Sequence, residues 1–189
     1  MTQIEEALAE IATILEELRI PYMLIGGMAV SLWGEPRATL DLDFSLWVEA
    51  DAFEATLAAL CQRLPALSEH PLAFAARTRV LPATSSNGVR IDLVFASLPP
   101  EKKAIARAQP KEVAGKTVMV AAVEDLVLMK LISEREKDWD DARRLLRRFR
   151  RSIDRRYLEP RLTELAEALA RPGIADLFRQ EMQAAGQQN

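Results

Sequence analysis

The sequence predicts an α+β fold, a mixed β-sheet core followed by a helical C-terminal region. Two observations point there. Through roughly the first two-thirds of the 189 residues, short apolar runs of strand length alternate with amphipathic helical stretches, punctuated by Gly and Pro. Beyond Val123 the pattern is helical throughout. The corresponding division is a core over residues 1–122 and a helical region over 123–189 packed on it.

Taken in order, Ile4, Leu8, Ile11, Ile14, Leu15 and Leu18 recur at helical spacing and predict an amphipathic helix over 3–19, ended by Pro21. A short apolar strand follows at 22–25. Gly26-Gly27 then turns the chain into a helix over 28–33, stopped by Gly34 and Pro36, and the chain returns extended over 40–48. Asp51 is placed to cap a helix reaching about residue 64. After a loop come strands at 77–81 and 89–95, joined by the turn-like Ser85-Ser86-Asn87-Gly88. Pro99-Pro100 starts another helix, and short strands at 111–113 and 117–120 flank Gly115-Lys116. The helical region divides into 123–134, 137–151, 158–170 and 173–184, with Pro172-Gly173 as its clearest break.

Composition narrows the chemistry. The single Cys61 excludes a disulfide framework and a cysteine-based zinc site, and it reads as a core residue on an apolar helical face. The single His70 leaves a Ser-His-Asp triad or a multi-histidine metal site only one candidate. Glu5, Glu6 and Glu10 near the start are unlike a signal peptide, and no apolar run approaches membrane-spanning length. A cytoplasmic protein with no membrane association is expected. The net charge of −3 conceals a basic segment, because residues 135–161 hold eleven Lys or Arg against six acids. Arg143, Arg144, Arg147, Arg148 and Arg151 form the heart of that patch. It suits RNA phosphates or an acidic protein partner, with a solvated helix face as the alternative.

The chemistry concentrates in Leu40-Asp41-Leu42-Asp43-Phe44, where strand alternation puts Asp41 and Asp43 on one face and the apolar residues on the other. Two like charges so placed repel and call for solvent or a divalent cation, and hard carboxylate oxygens suit Mg²⁺ or Mn²⁺. For an isolated D-x-D a solvated strand face is the commoner explanation. Here Gly26-Gly27 lies one helix upstream, where unhindered backbone N–H groups can approach phosphate oxygens, so a nucleoside triphosphate held there would meet metal held by the acids. Asp92, in the otherwise apolar strand Ile91-Asp92-Leu93-Val94-Phe95, becomes a third carboxylate if its strand neighbours the first; the alternative is an edge-strand acid facing water.

The residues Gly26-Gly27-Met28-Ala29, Gly34, Pro36-Arg37, Thr39 and Asp41-Leu42-Asp43 together resemble the first motif of the AbiEii-type nucleotidyltransferases. The resemblance extends more weakly through Asp92, Glu124-Asp125-Leu126, Lys130 and Asp138 to Asp141. It implies a polymerase-β-like nucleotidyltransferase core that moves a nucleoside monophosphate from an NTP to a hydroxyl on tRNA or protein, often as the toxin of a toxin–antitoxin pair with a cognate antitoxin as partner. By the same resemblance Gly26 and Gly27 cradle the triphosphate, Asp41, Asp43 and Asp92 hold metal, and Lys130 stands near the phosphates, with a snorkelling surface lysine on an apolar helix as the equal alternative. Arg37 and Thr39 flank the aspartate strand within reach of phosphate, the alternative for Arg37 being a turn cap beside Pro36. Asp141 is a supporting residue, or else an exposed acid paired with Arg144. Gly-Gly replaces the Gly-Ser of many catalytic relatives, which removes a serine contact but leaves a backbone N–H donor. Antibiotic nucleotidylation and a non-catalytic nucleotide-binding module are the rival functions.

Overall fold

A computed structural model of the chain describes residues 2–34 and 39–183. The first helix, α1 (Gln3–Glu17), opens on a capping box: Thr2 Oγ1 accepts the Glu5 N–H at 3.3 Å while the Glu5 carboxylate accepts the Thr2 N–H at 2.8 Å. Its buried face, Ala7, Leu8, Ile11, Ala12, Ile14 and Leu15, is the stripe the spacing predicts. There follow β1 (Tyr22–Ile25), α2 (Gly26–Leu32), β2 (Asp41–Trp47), a 3₁₀ turn (Ala50–Ala52), α3 (Phe53–Arg63), α4 (Pro71–Thr78), β3 (Val80–Thr84), β4 (Arg90–Ala96), α5 (Pro99–Ala106), β5 (Gln109–Val113) and β6 (Lys116–Val120). The chain then continues as α6 (Val123–Ile132), α7 (Glu136–Phe149), α8 (Arg155–Ala168) and α9 (Gly173–Gln183).

Two compact units emerge, with the boundary inside α2, between Ala29 and Val30. The first contains α1, β1 and everything described from Thr39 to Ala121. Its six strands form one mixed sheet in the order β3-β4-β2-β1-β6-β5. Central β1 runs antiparallel to β2 and parallel to β6, and β2 runs parallel to β4. Leu42, Phe44 and Leu46 of β2 and Ile91, Leu93 and Phe95 of β4 are buried, while Asp41, Asp43, Arg90 and Asp92 alternate with them on the other side. Edge-to-face contacts of Tyr22 with Phe44 and of Phe53 with Phe95 knit this apolar layer.

The second unit takes the end of α2 and the helices α6–α9. Leu126, Val127, Leu131, Leu145, Leu146, Leu158, Leu162, Ile174 and Phe178 make its core, and Trp33 meets Phe149 edge-to-face at 5.4 Å.

Four local expectations are revised. Residues 71–78, read as part of a loop, form α4, started by Pro71 in the first turn and ended by Arg79 in a left-handed conformation (φ 60°). The following strand therefore begins at Val80 rather than 77. Asp51 lies within the 3₁₀ turn and makes no cap, so α3 starts at Phe53. Helix α8 starts at Arg155 instead of 158 because Asp154 accepts the Tyr157 N–H at 3.1 Å, and Pro160 is accommodated inside it.

Candidate active site

The site grows from the register of three strands. Antiparallel pairing sets Ile25, the last residue of β1, opposite Asp43, and parallel pairing sets Asp43 opposite Asp92 and Asp41 opposite Arg90. The neighbour relation that the sequence left open for Asp92 is thus present: β4 is an interior strand beside β2. Because Gly26 directly follows Ile25, the glycine turn begins beside Asp43. A Cβ built on Gly26 would stand 2.0 Å from Asp43 Oδ2, 2.8 Å from Cγ and 3.0 Å from Cβ. Gly26 also has φ +70°, a backbone region that side chains disfavour. Two independent constraints therefore require glycine here.

Each carboxylate has its own surroundings. Asp41 Oδ1 accepts the Thr39 hydroxyl at 2.9 Å, Asp43 lies against Gly26, and Asp92 receives the Arg90 guanidinium, with Nη2 3.1 and 3.3 Å from its two oxygens. All three are half-buried. Among the described residues no three such groups are gathered into a ready-made metal cage, so the acids share a face without converging on one point. The donor set nonetheless fits a hard divalent cation: adjacent carboxylates on a partly solvated face, with no sulfur or imidazole on β2 or β4. Arg37 lies outside the described residues, so its expected contact has no geometry.

Lys130 and Asp141 belong to the second unit, where they form a buried ionic cluster. The Lys130 ammonium lies 2.6 Å from Asp138 and 3.1 Å from Asp141, and its side chain is 8% exposed against 1% and 0% for the two acids. Asp138 also accepts from Ser133 and Arg135 at 2.7 Å each, and Asp141 from Arg144 at 2.8 Å. Burial alone would raise the Asp138 pKa, but the hydrogen bonds from Lys130 and Ser133 and the charges of Lys130 and Arg135 outweigh it and hold this carboxyl below its ordinary value. Asp141 does pair with Arg144, but as a fully buried acid rather than an exposed one.

The arginine-rich segment is largely neutralised from within. Arg143 pairs with Asp140, Arg144 with Asp141 and Arg155 with Glu159, and Arg147 makes a two-pronged bond to Glu181 at 2.6 and 2.8 Å. Arg148 packs over Gly34, where an added Cβ would lie 2.6 Å from its Nη2. Among the described residues Arg150, Arg151 and Arg156 have no ion pair. The residue that sequence reasoning missed is Arg90, although its two-residue spacing from Asp92 on a strand already put both on one face.

Solved structures with a similar fold are nucleotidyltransferases or resemble them. An antigenic nucleotidyltransferase-like protein from Paracoccidioides brasiliensis matches with a TM-score of 0.55 at 18% identity, covering 94% of this chain and 92% of that one. The antibiotic-resistance factor ANT(2'')-Ia, in complex with adenylyl-2''-tobramycin, gives 0.55 at 15% identity over 89% and 99%. The lincosamide adenylyltransferase LnuA, lincomycin-bound, gives 0.51 at 15% identity over 77% and 96%. No curated protein sequence matches significantly. A family model described as nucleotidyl transferase AbiEii toxin, type IV toxin–antitoxin system, matches residues 7–188. The chain belongs to this family and is a nucleotidyltransferase.

Proposed function

We propose that the protein moves a nucleoside monophosphate from an NTP to a hydroxyl on tRNA or on a protein, the acceptor oxygen bonding to the α-phosphorus as pyrophosphate leaves and the hydroxyl proton passes to solvent, and that it acts as the toxin of a toxin–antitoxin pair. The observation that carries this reading is the junction of Gly26 with Asp43, beside Asp41 and in register with Asp92. In this reading the Gly26 and Gly27 backbone receives the triphosphate, with Thr39 and Arg37 as further contacts, while Asp41, Asp43 and Asp92 hold Mg²⁺ or Mn²⁺. A bound divalent ion there would neutralise charge on the phosphates and lower the pKa of the attacking hydroxyl. Asp41 and Asp43, through the ion they would hold, would align the reacting phosphate against the glycines.

The proposed role of Lys130 near the phosphates rests on the family resemblance alone; its ammonium is engaged by Asp138 and Asp141 within the helical unit, where Asp141 supports it. The family's toxin character favours an antitoxin as the physiological protein partner. Arg151, with Arg150 and Arg156, is the part of the basic segment best placed to meet RNA.

The test incubates purified protein with Mg²⁺ or Mn²⁺, each labelled NTP and a cell extract. Label should move to a macromolecular acceptor, chelation should stop it, and Asp43→Asn should abolish it. Triphosphate binding without transfer to any acceptor would favour a non-catalytic module. Transfer only to added aminoglycosides or lincosamides would favour antibiotic modification. Growth arrest on expression, lost in Asp41→Asn and relieved by a co-expressed antitoxin, would support the toxin role.

A further inference from the structure

Parallel pairing of β2 with β4 draws four charged residues into a square on one sheet face, with Asp41 opposite Arg90 and Asp43 opposite Asp92. Three are acids and one is a cation. Arg90 spans its strand to Asp92, with Nη2 at 3.1 and 3.3 Å from the two oxygens and Nε at 3.4 Å from one of them. Its side chain is 56% exposed, whereas that of Asp92 is 21% exposed. Asp41 stands opposite Arg90 in the strand register and Asp43 opposite Asp92, so Arg90 sits in the field of all three acids.

An arginine fork on a carboxylate is specific in shape, but a pair whose cation is mostly exposed is held only weakly. Such a partner holds an acid in place and yields readily to a stronger one. We propose that Arg90 is a placeholder cation: it occupies Asp92 in the metal-free protein and competes with a divalent ion for that carboxylate. The inference rests on the proposed reading that these acids hold metal, and it adds a residue which the reading alone does not contain. Its physical content is that the Arg90 fork engages both Asp92 oxygens, so an ion that takes either one competes with the fork and meets a like charge close by. In this proposal Arg90 loosens its fork on Asp92 and turns toward the solvent it already reaches when Asp92 ligates an ion.

The experiment is a Mn²⁺ titration of the full chain without nucleotide, followed by the electron paramagnetic resonance of free Mn²⁺. Arg90→Gln should bind Mn²⁺ about tenfold more tightly than wild type, the size expected when one nearby like charge is removed. Arg90→Lys keeps the charge but loses the fork and should fall between the two. Asp92→Asn should weaken binding, and adding Arg90→Gln to it should recover less than the full gain seen alone. Equal or weaker Mn²⁺ binding by Arg90→Gln, with Asp92→Asn still harmful, would overturn the placeholder role and leave the metal reading intact. Binding indifferent to both Asp43→Asn and Asp92→Asn would remove the metal reading, and the placeholder with it.

Discussion

Gly26→Ala is the most demanding single change that the structure suggests. The new methyl carbon would be forced to within 2.0 Å of Asp43 Oδ2 and 3.0 Å of Asp43 Cβ, and the residue would have to keep φ near +70°. The left-handed backbone costs a non-glycine residue about 1–2 kcal/mol. Pushing the carboxylate aside, and bending a central strand to release its Cβ, adds about 1–3 kcal/mol on the scale of overpacked cores. The expected loss is therefore about 2–5 kcal/mol, or roughly 4–20 °C in melting temperature for a chain of this size. Chemical denaturation read by circular dichroism measures it. A double-mutant cycle separates the two parts: in an Asp43→Ala background two of the three close atoms are gone, so the cost of Gly26→Ala should drop toward the backbone contribution alone. Additive costs would refute the argument that glycine and aspartate are mutually required. So would a Gly26→Ala protein with wild-type stability.

Three further outcomes follow from the helical unit. Lys130→Met leaves Asp138 and Asp141 buried without their shared cation and should cost about 3–5 kcal/mol in denaturant unfolding; a loss of activity with stability unchanged would instead mean that the lysine acts on substrate. The Asp138 carboxyl has its pKa lowered in the folded state, so the unfolded chain takes up that proton first on acidification, from about pH 4 downward. Its stabilisation is full above that range and lost as pH falls through the folded value, so the gap in urea midpoint between wild type and Asp138→Asn should narrow below about pH 4; a gap constant with pH would contradict the assignment. Arg147→Ala strips the buried Glu181 of its two-pronged partner and should cost about 1–3 kcal/mol, whereas Arg151→Ala should be neutral to within about 0.5 kcal/mol; equal effects would overturn the division of the basic segment into paired and unpaired residues.

Much of the sheet was readable because its signals are local. The Asp41–Asp43 alternation, the glycine turn and the helical period of α1 each depend on neighbours within a few residues. What sequence alone left open was pairing at a distance. Whether Asp92 joins the other acids turns on β4 crossing back to lie beside β2, a choice made by the packing of α3, α4 and β3 between them in the chain. The same distinction explains the arginines. The pairs of Arg143 with Asp140 and Arg144 with Asp141 are visible as three-residue spacings, but Arg147 finds Glu181 across thirty-four positions, so the segment read as more basic than its free surface is. Lys130 was ambiguous because α6 is apolar on both sides of it, and only folding reveals which residues of α7 come to meet it.

The strict alternation of acids with Leu42, Phe44, Ile91 and Leu93 has a consequence for assembly of the sheet. Slipping β2 by one position would turn Asp41 and Asp43 into the apolar layer and Leu42 and Phe44 out of it, and burying an unpaired charge costs far more than any ladder bond returns. A misregistered intermediate would thus be expelled during folding by the very carboxylates proposed for chemistry. The residues that repel one another in the finished protein act, while it forms, as a check that the strands have met correctly.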